Sequence, residues 1–350
     1  MDFYIKDLII SSLIFLIIIL VILYVREYAI EHFETKMKIM TIPRRLNLHG
    51  TESNISIIIK KDYTFKQIQA AINMCILQLP NSDEFGNDTN IRNACMYAID
   101  SGKRIRPAIV LEIGRQSAVN QNKPIIDLTN MALAIEYIHC ASIIIDDMEH
   151  FDDDDIRRNK PSLHKKYGPA AAQMTALVLL TSAFQNISRQ CFDTNPLDLS
   201  ITNFINFFIC SRIQNAATGQ LNELNMNKNP ASTPTHDNIM NLIKQKTGGL
   251  FQIATVCGWL FCNSGDISDA DSMKRVGVKI ANILQIADDI VDIEKDKEIG
   301  QKYNFANHFG ESAALRQITK DIKDIETLLR QRNLYSNNWD EMIREIIEPI

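Results

Sequence analysis

Two runs of aspartate carry the chemistry open to this chain. The first crowds Asp146, Asp147, Asp152, Asp153, Asp154 and Asp155 at the end of a largely apolar stretch, residues 131–145. Carboxylates this close repel one another unless cations sit among them. The second run, QIADDIVD, begins at Gln285 and holds Asp288, Asp289 and Asp292. On a helix Asp288 and Asp289 lie one turn before Asp292, on one face, with Gln285 a turn earlier still. Ile286, Ala287, Ile290 and Val291 fill the other side with hydrocarbon. Acids on one stripe and hydrocarbon on the other suit a metal held inside a bundle. Two such clusters on separate helices can face each other across a cavity. Magnesium is a hard cation, usually held by one or two carboxylates together with substrate phosphates.

A diphosphate held through metals also needs cations from the protein. Three basic sets are present: Lys103, Arg104 and Arg106 in SGKRIRP; Arg157 and Arg158 just after the first acid run; and Lys246 and Lys302 flanking the second. Arginine forks match phosphate oxygens in pairs, while lysine acts as a point charge. His139 precedes Asp146 by two helical turns and shares its face.

The elements that must position these groups read as helices. Amphipathic patterns run over about 63–79, 88–101, 104–118, 125–147, 169–190, 199–225, 236–262, 268–295 and 311–332. Turn residues separate them, as in NKNPASTPTHDN at 227–238. Glycine is sparse, at 13 residues, and no glycine-rich phosphate loop is present. The expected architecture is an all-α bundle around a central cavity, over residues 62–350.

Before it, residues 8–25 contain no charged side chain. As a helix they would span about 27 Å, enough to cross a bilayer core. They read as a transmembrane anchor, with residues 1–7 lumenal and 26–61 a linker. Only Lys6 precedes the span, whereas Arg26, Lys36, Lys38, Arg44 and Arg45 follow it, which places the folded domain in the cytosol. The seven cysteines are scattered without a CxxC pair, in keeping with reduced thiols. A net charge of −5 provides no global field for nucleic acid.

Taken in order, these motifs resemble the trans-isoprenyl diphosphate synthase (polyprenyl synthetase) family over about residues 61–310. Gly102 to Pro107 resembles the family's GGKRxRP, with Ser101 for the first glycine. Asp146-Asp147, a four-residue spacer, Asp152 and then Arg157-Arg158 resemble its first aspartate-rich motif. Asn159 stands where glycine is usual, and Ile145 where histidine is common. Gly219-Gln220, Lys246-Thr247 and Gln285 through Asp292 resemble the later motifs. The N-terminal anchor is unusual for the family; with the Ile- and Asn-rich composition it is similar to a viral branch, which implies a single-pass protein of host endoplasmic reticulum.

The resemblance implies roles. Lys103, Arg106, His139 and Arg158 would hold isopentenyl diphosphate. Arg157, Lys246, Thr247, Gln285 and Lys302 would contact the allylic diphosphate. Asp146, Asp152 and Asp288 would lead the magnesium ligands, supported by Asp147, Asp289 and Asp292, with three ions per loaded site. A homodimer is implied. The reaction would condense allylic diphosphates with isopentenyl diphosphate. In the family an aromatic residue five before the first aspartate closes the product tunnel at the farnesyl length. Here that position is Ala141, beside Ser142 and after Ile138, so the expected product is geranylgeranyl diphosphate or longer, unless a residue near Tyr97 closes the floor. A terpene cyclase is the rival enzyme, and a silent partner subunit the rival non-enzyme. The intact Asp288-Asp289-Ile290-Val291-Asp292 run speaks against both.

Overall fold

Local capping signals set many of the helix starts. Thr64 and Gln67 form a capping box that opens α1 (Phe65–Ile76), and Asp88 caps α2 (Thr89–Ile99) by accepting from the Ile91 amide. The structure is a computed structural model that describes residues 56–81, 83–194, 199–227, 234–262, 267–298 and 303–350. The expected anchor at 8–25 and Lys302 lie outside the described residues. Among those described, no helix is long and apolar enough to cross a membrane.

The chain continues through α3 (Ile105–Asn120) and α4 (Thr129–Asp146) to a short hairpin, β1 (Ile156–Arg157) and β2 (Lys160–Pro161). Then come α5 (Leu163–Tyr167), α6 (Pro169–Thr194), α7 (Leu199–Asn227), α8 (His236–Lys246) and α9 (Gly248–Cys262). The last part is α10 (Ala270–Val291), α11 (Ile293–Glu298), α12 (Phe305–Phe309), α13 (Glu311–Arg330) and α14 (Asn337–Ile347).

Burial shows which helices form the centre. Every residue of α9 from Gly248 to Phe261 is buried, and α4 is buried on all sides from Met131 to Ile138. A helix apolar all round belongs inside a bundle. Burying one Phe or Leu side chain there contributes roughly 1.5–3 kcal/mol. Helix α9 packs against α3, α4 and α10; α4 also packs against α6, and α10 against α13. The outer α13 and α14 bury one stripe each, in α14 Trp339, Met342, Ile343 and Ile346.

The all-α expectation holds, with several differences of detail. The pattern at 236–262 is two helices, α8 and α9, meeting at Thr247. Helix α10 ends at Val291, so the 268–295 pattern also divides, into α10 and α11. Helix α14 and the hairpin were not among the expected elements. Ile57 and Ile59, from the segment read as linker, are buried, and the Ile57 amide donates to Thr129 Oγ1 at 2.6 Å.

Candidate active site

Both acid clusters sit at helix C-termini. Asp146 is the last residue of α4 and Asp147 its C-cap; Asp288 and Asp289 lie in the last turn of α10, and Asp292 caps it. A helix C-terminus carries partial negative charge and favours cations. Neither last turn contains a basic residue. Helix ends are thus loaded against their own dipoles, which favours an added cation. Burial pushes Asp146 up to about 7, with Asp152 and Asp147 adding repulsion against the pull of Lys246. Burial and then Asp292 push Asp288 up to about 6, although Lys103 and Arg106 draw it down.

The acids divide by what holds them. Among the described residues no side chain donates a hydrogen bond to Asp146 or Asp288. Asp152 is exposed, and its amide donates to the Asp146 carbonyl at 2.9 Å, so the four-residue spacer folds it back beside Asp146. Asp147 is buried and accepts from Arg157 Nε at 2.8 Å, while Arg157 Nη2 also donates to Asp154 at 2.6 Å. Asp289 is buried, accepts from the Phe305 amide at 2.7 Å and from Gln285 Nε2 at 3.1 Å, and is pushed by burial to about 7. Asp146, Asp152 and Asp288 therefore offer open oxygen donors suited to a hard divalent cation, whereas Asp147 and Asp289 already hold protein donors. A further trio, Asp153, Asp155 and His164, has ligand atoms within 4.8 Å of one another, but Lys165 lies 2.9 Å from Asp155 and 3.5 Å from Asp153 and offsets part of its charge.

The basic sets act on these acids, Lys103 and Arg106 on Asp288, Lys246 on Asp146 and Arg157 on Asp147, with one exception. Arg106 Nη1 donates to His139 Nε2 at 3.1 Å, and its guanidinium lies 4.4 Å from the Phe251 ring centroid. An arginine can only donate, so Nε2 accepts and the ring proton is on Nδ1. Burial, then Arg106 and Arg158, hold the His139 pKa well below the usual imidazole range, so the ring is neutral. Lys103 is exposed at the rim. Lys246 pairs with Glu223 at 2.5 Å and acts electrostatically on Asp146. Thr247 Oγ1 donates to Gln285 Oε1 at 3.1 Å, which ties the α8–α9 junction to α10. The exception is Arg104. It is 3% exposed, pairs with Glu136, and donates to Asn73 Oδ1 at 2.8 Å and to the Ile99 carbonyl. Its charge is spent inside the fold, away from the phosphate-facing set in which the sequence placed it.

Backbone geometry explains several motif positions. At Gly102, φ is +139°, and a Cβ would come within 2.7 Å of the Arg158 guanidinium, which donates to the Ser101 carbonyl. A Cβ at Gly219 would meet the Lys246 amide nitrogen at 2.7 Å, so α7 can approach the α8–α9 junction only with glycine there. Arg158 and Asn159 link β1 to β2 with φ of +52° and +61°, a two-residue turn in which asparagine serves where the family has glycine.

A cavity opens on the flank of α4, lined by Tyr97, Cys140, Ile143, Ile144, Arg158 and Leu163 among others. Of the expected chain-length residues, Ala141 and Ile138 are buried and Ser142 donates to the His139 carbonyl at 2.9 Å; none lines this cavity. Tyr97, the alternative, is held by its hydroxyl on the Pro161 carbonyl at 2.7 Å. Two polar groups escaped the sequence reading of roles. Glu223 holds Lys246, and Gln220 is 7% exposed with neither amide atom paired. Both follow Gly219 within one turn of helix, the signal that would have found them.

A sequence profile of the Polyprenyl synthetase family matches residues 88–307. The chain is 32% identical over 355 residues to a trans-prenyltransferase of African swine fever virus (isolate Pig/Kenya/KEN-50/1950), and 97% of each chain is covered. It is similar in structure to the geranyltranstransferase of Thermotoga maritima, with a TM-score of 0.67 at 23% identity, covering 82% of this chain and 99% of that one. It is also similar to the geranyltransferase of Helicobacter pylori complexed with magnesium and isoprenyl diphosphate, with a TM-score of 0.59 at 22% identity, covering 75% and 88%. These likenesses give the fold class, the all-helical isoprenoid synthase bundle. The chain belongs to the polyprenyl synthetase family, whose members are prenyl-transferring enzymes.

Proposed function

We propose that this protein is a magnesium-dependent trans-prenyltransferase. It joins dimethylallyl, geranyl and farnesyl diphosphates to isopentenyl diphosphate and yields all-trans geranylgeranyl diphosphate or longer. One observation carries the reading: each open carboxylate lies in the field of a basic set, Asp288 in that of Lys103 and Arg106 and Asp146 in that of Lys246. Magnesium, once bound by Asp146, Asp152, Asp288 and Asp292, supplies neutralisation of the charge that develops on a departing diphosphate.

The protein's own groups do the rest. Arg157, Lys246, Thr247 and Gln285 grip the allylic diphosphate, and Lys302 is assigned to the same end. Lys103, Arg106, neutral His139 and Arg158 grip isopentenyl diphosphate, so its double bond is held close to the allylic carbon. The allylic C–O bond breaks with both electrons leaving on diphosphate. The isopentenyl double bond then forms the new C–C bond, and the proton lost from the adjacent carbon passes to that diphosphate. No protein nucleophile is needed. Apolar walls from α4 and α9 keep water from the cation.

The geranylgeranyl length rests on Ala141, where a phenylalanine would add roughly 100 Å³ on the scale at which cavities matter. Radiolabelled isopentenyl diphosphate with farnesyl diphosphate is expected to give geranylgeranyl diphosphate on chromatography, and Ala141→Phe to shift the main product to farnesyl from shorter primers. A wild-type enzyme that stops at farnesyl refutes the length, and one that condenses nothing refutes the function.

The anchor is part of the same reading. Residues 8–25 are long and apolar enough to span, and the viral relative aligns with 97% of this chain, which leaves little of the N-terminal segment out. The domain is read as cytosolic, on host endoplasmic reticulum or a membrane derived from it. A homodimer is part of the same reading, and Met174 and Leu177, one turn apart on α6, offer it exposed apolar side chains at 49% and 54% exposure. A chain beginning at Glu52 is expected to stay soluble, to scatter light as a dimer and to remain active. The full chain is expected in the pellet of carbonate-washed membranes, and its release there refutes the anchor.

A further inference from the structure

The loop between α2 and α3 carries Lys103 through an uncommon backbone path, with φ of +139° at Gly102 and +54° at Arg104. Such a path persists only where its surroundings hold it. Arg104 fixes one side by its buried pairing with Glu136. The other side is held by the two ends of the folded domain. Gln69 on α1 donates through Nε2 to the Lys103 carbonyl at 2.5 Å and to the Glu345 carboxylate on α14 at 3.0 and 3.2 Å. One turn after Gln69, Asn73 accepts from Arg104. Glu341, one turn before Glu345, accepts from the Phe65 amide at the start of α1 at 3.2 Å. The Lys103 ammonium itself donates to the Glu345 carbonyl at 3.3 Å, one of the carbonyls that a helix C-terminus leaves without an intrahelical partner.

We propose that Gln69 is a positioning residue for the isopentenyl diphosphate end of the site, clamping the Lys103 loop to the last helix so that Lys103 is aimed at the diphosphate. The proposal rests on the function given above. Lys103 rests on the Glu345 carbonyl and acts on Asp288, and an entering diphosphate takes the carbonyl's place. Gln69 touches no substrate. It acts on one substrate only, because the described groups assigned to the allylic diphosphate, Arg157, Lys246, Thr247 and Gln285, lie on the hairpin, the α8–α9 junction and α10, to none of which it is bonded.

The test uses the whole chain with Gln69→Ala and the isosteric Gln69→Glu, whose carboxylate cannot donate to Lys103 and faces Glu345. Both are expected to raise KM for isopentenyl diphosphate about tenfold, the effect of losing one hydrogen bond of ordinary strength, while kcat and the allylic KM change by less than about twofold. Calorimetric titration with isopentenyl diphosphate alone, without turnover, should show the same weakening. In a Lys103→Ala background, Gln69→Ala should add almost nothing, because a residue that acts through another loses its effect when that other is gone. Equal increases in both KM values, an unchanged KM for isopentenyl diphosphate, or an undiminished effect in the Lys103→Ala background would overturn the proposal. A wild-type chain without condensation would instead refute the function on which it rests.

Discussion

Asp146→Ala and Asp288→Ala are each expected to lower turnover about a thousandfold or more while leaving the helical fold intact, and EDTA should do the same to the unaltered enzyme. Removing one such electrostatic partner of a developing charge commonly costs this much. The fold should survive because these two carboxylates receive no hydrogen bond from the described side chains and stand at helix C-termini, where negative charge is unfavourable. The pH dependence has a definite sign. With Asp146 pushed to about 7 and Asp288 to about 6, cation binding must release protons, so magnesium affinity should fall as pH drops from 8 to 6. In the metal-free protein both groups bind protons more tightly folded than unfolded. Their contribution to stability is full below the unfolded carboxyl pKa, near 4, and is lost as pH rises through 6 and 7. At pH 8, without metal, the alanine variants should therefore melt no lower than wild type. Circular dichroism melts and steady-state rates at several magnesium concentrations check these points. Activity unaffected by EDTA would refute the metal assignment.

Glu136→Ala and Arg104→Met should each cost about 3–5 kcal/mol of stability, since each leaves its partner as an uncompensated buried charge. The side chains of Arg104 and Glu136 are 1% and 2% exposed. Replacing both at once by methionine should recover much of the loss, because well-packed hydrocarbon can substitute for a buried pair. Chemical denaturation of the soluble domain measures all three, and single variants as stable as wild type would remove Arg104 from the architecture of the loop. The single variants should also lose activity, since the loop that presents Lys103 depends on the pair.

The acid clusters were legible because carboxylates at helical spacing beside hydrocarbon repel one another at a cost that a bound cation relieves. Asp146 and Asp288 receive no hydrogen bond from the described side chains, and Asp152 is exposed, so all three keep oxygens open to such a cation. Arg104 was not legible, because residue type gives charge but not direction. Its neighbours Lys103 and Arg106 act on Asp288, whereas Arg104, with a left-handed backbone, pairs with Glu136 inside the fold. Asp147 and Asp289 carry the same side chain as their neighbours, yet burial and donors from Arg157, Gln285 and the Phe305 amide set them apart. The break at Thr247 was signalled by KQKTGG at 244–249, a run without a large apolar side chain that the reading of 236–262 as one helix passed over. Helix α14 was legible in principle: Trp339, Met342, Ile343 and Ile346 follow the period of one helix face. Contacts such as Gln69 to Glu345, 276 residues apart, have no local signature at all.

That separation bears on how the protein is made. The ribosome releases a chain from its N-terminus, and domains form from the parts already synthesised. Both acid clusters are complete well before α14 exists. Until residues 337–347 emerge, the Gln69 amide lacks its carboxylate partner and the Lys103 ammonium lacks its resting carbonyl. The two acid clusters and the contacts that hold the Lys103 loop are thus completed at different moments of synthesis, and a nascent chain carries the first before the second.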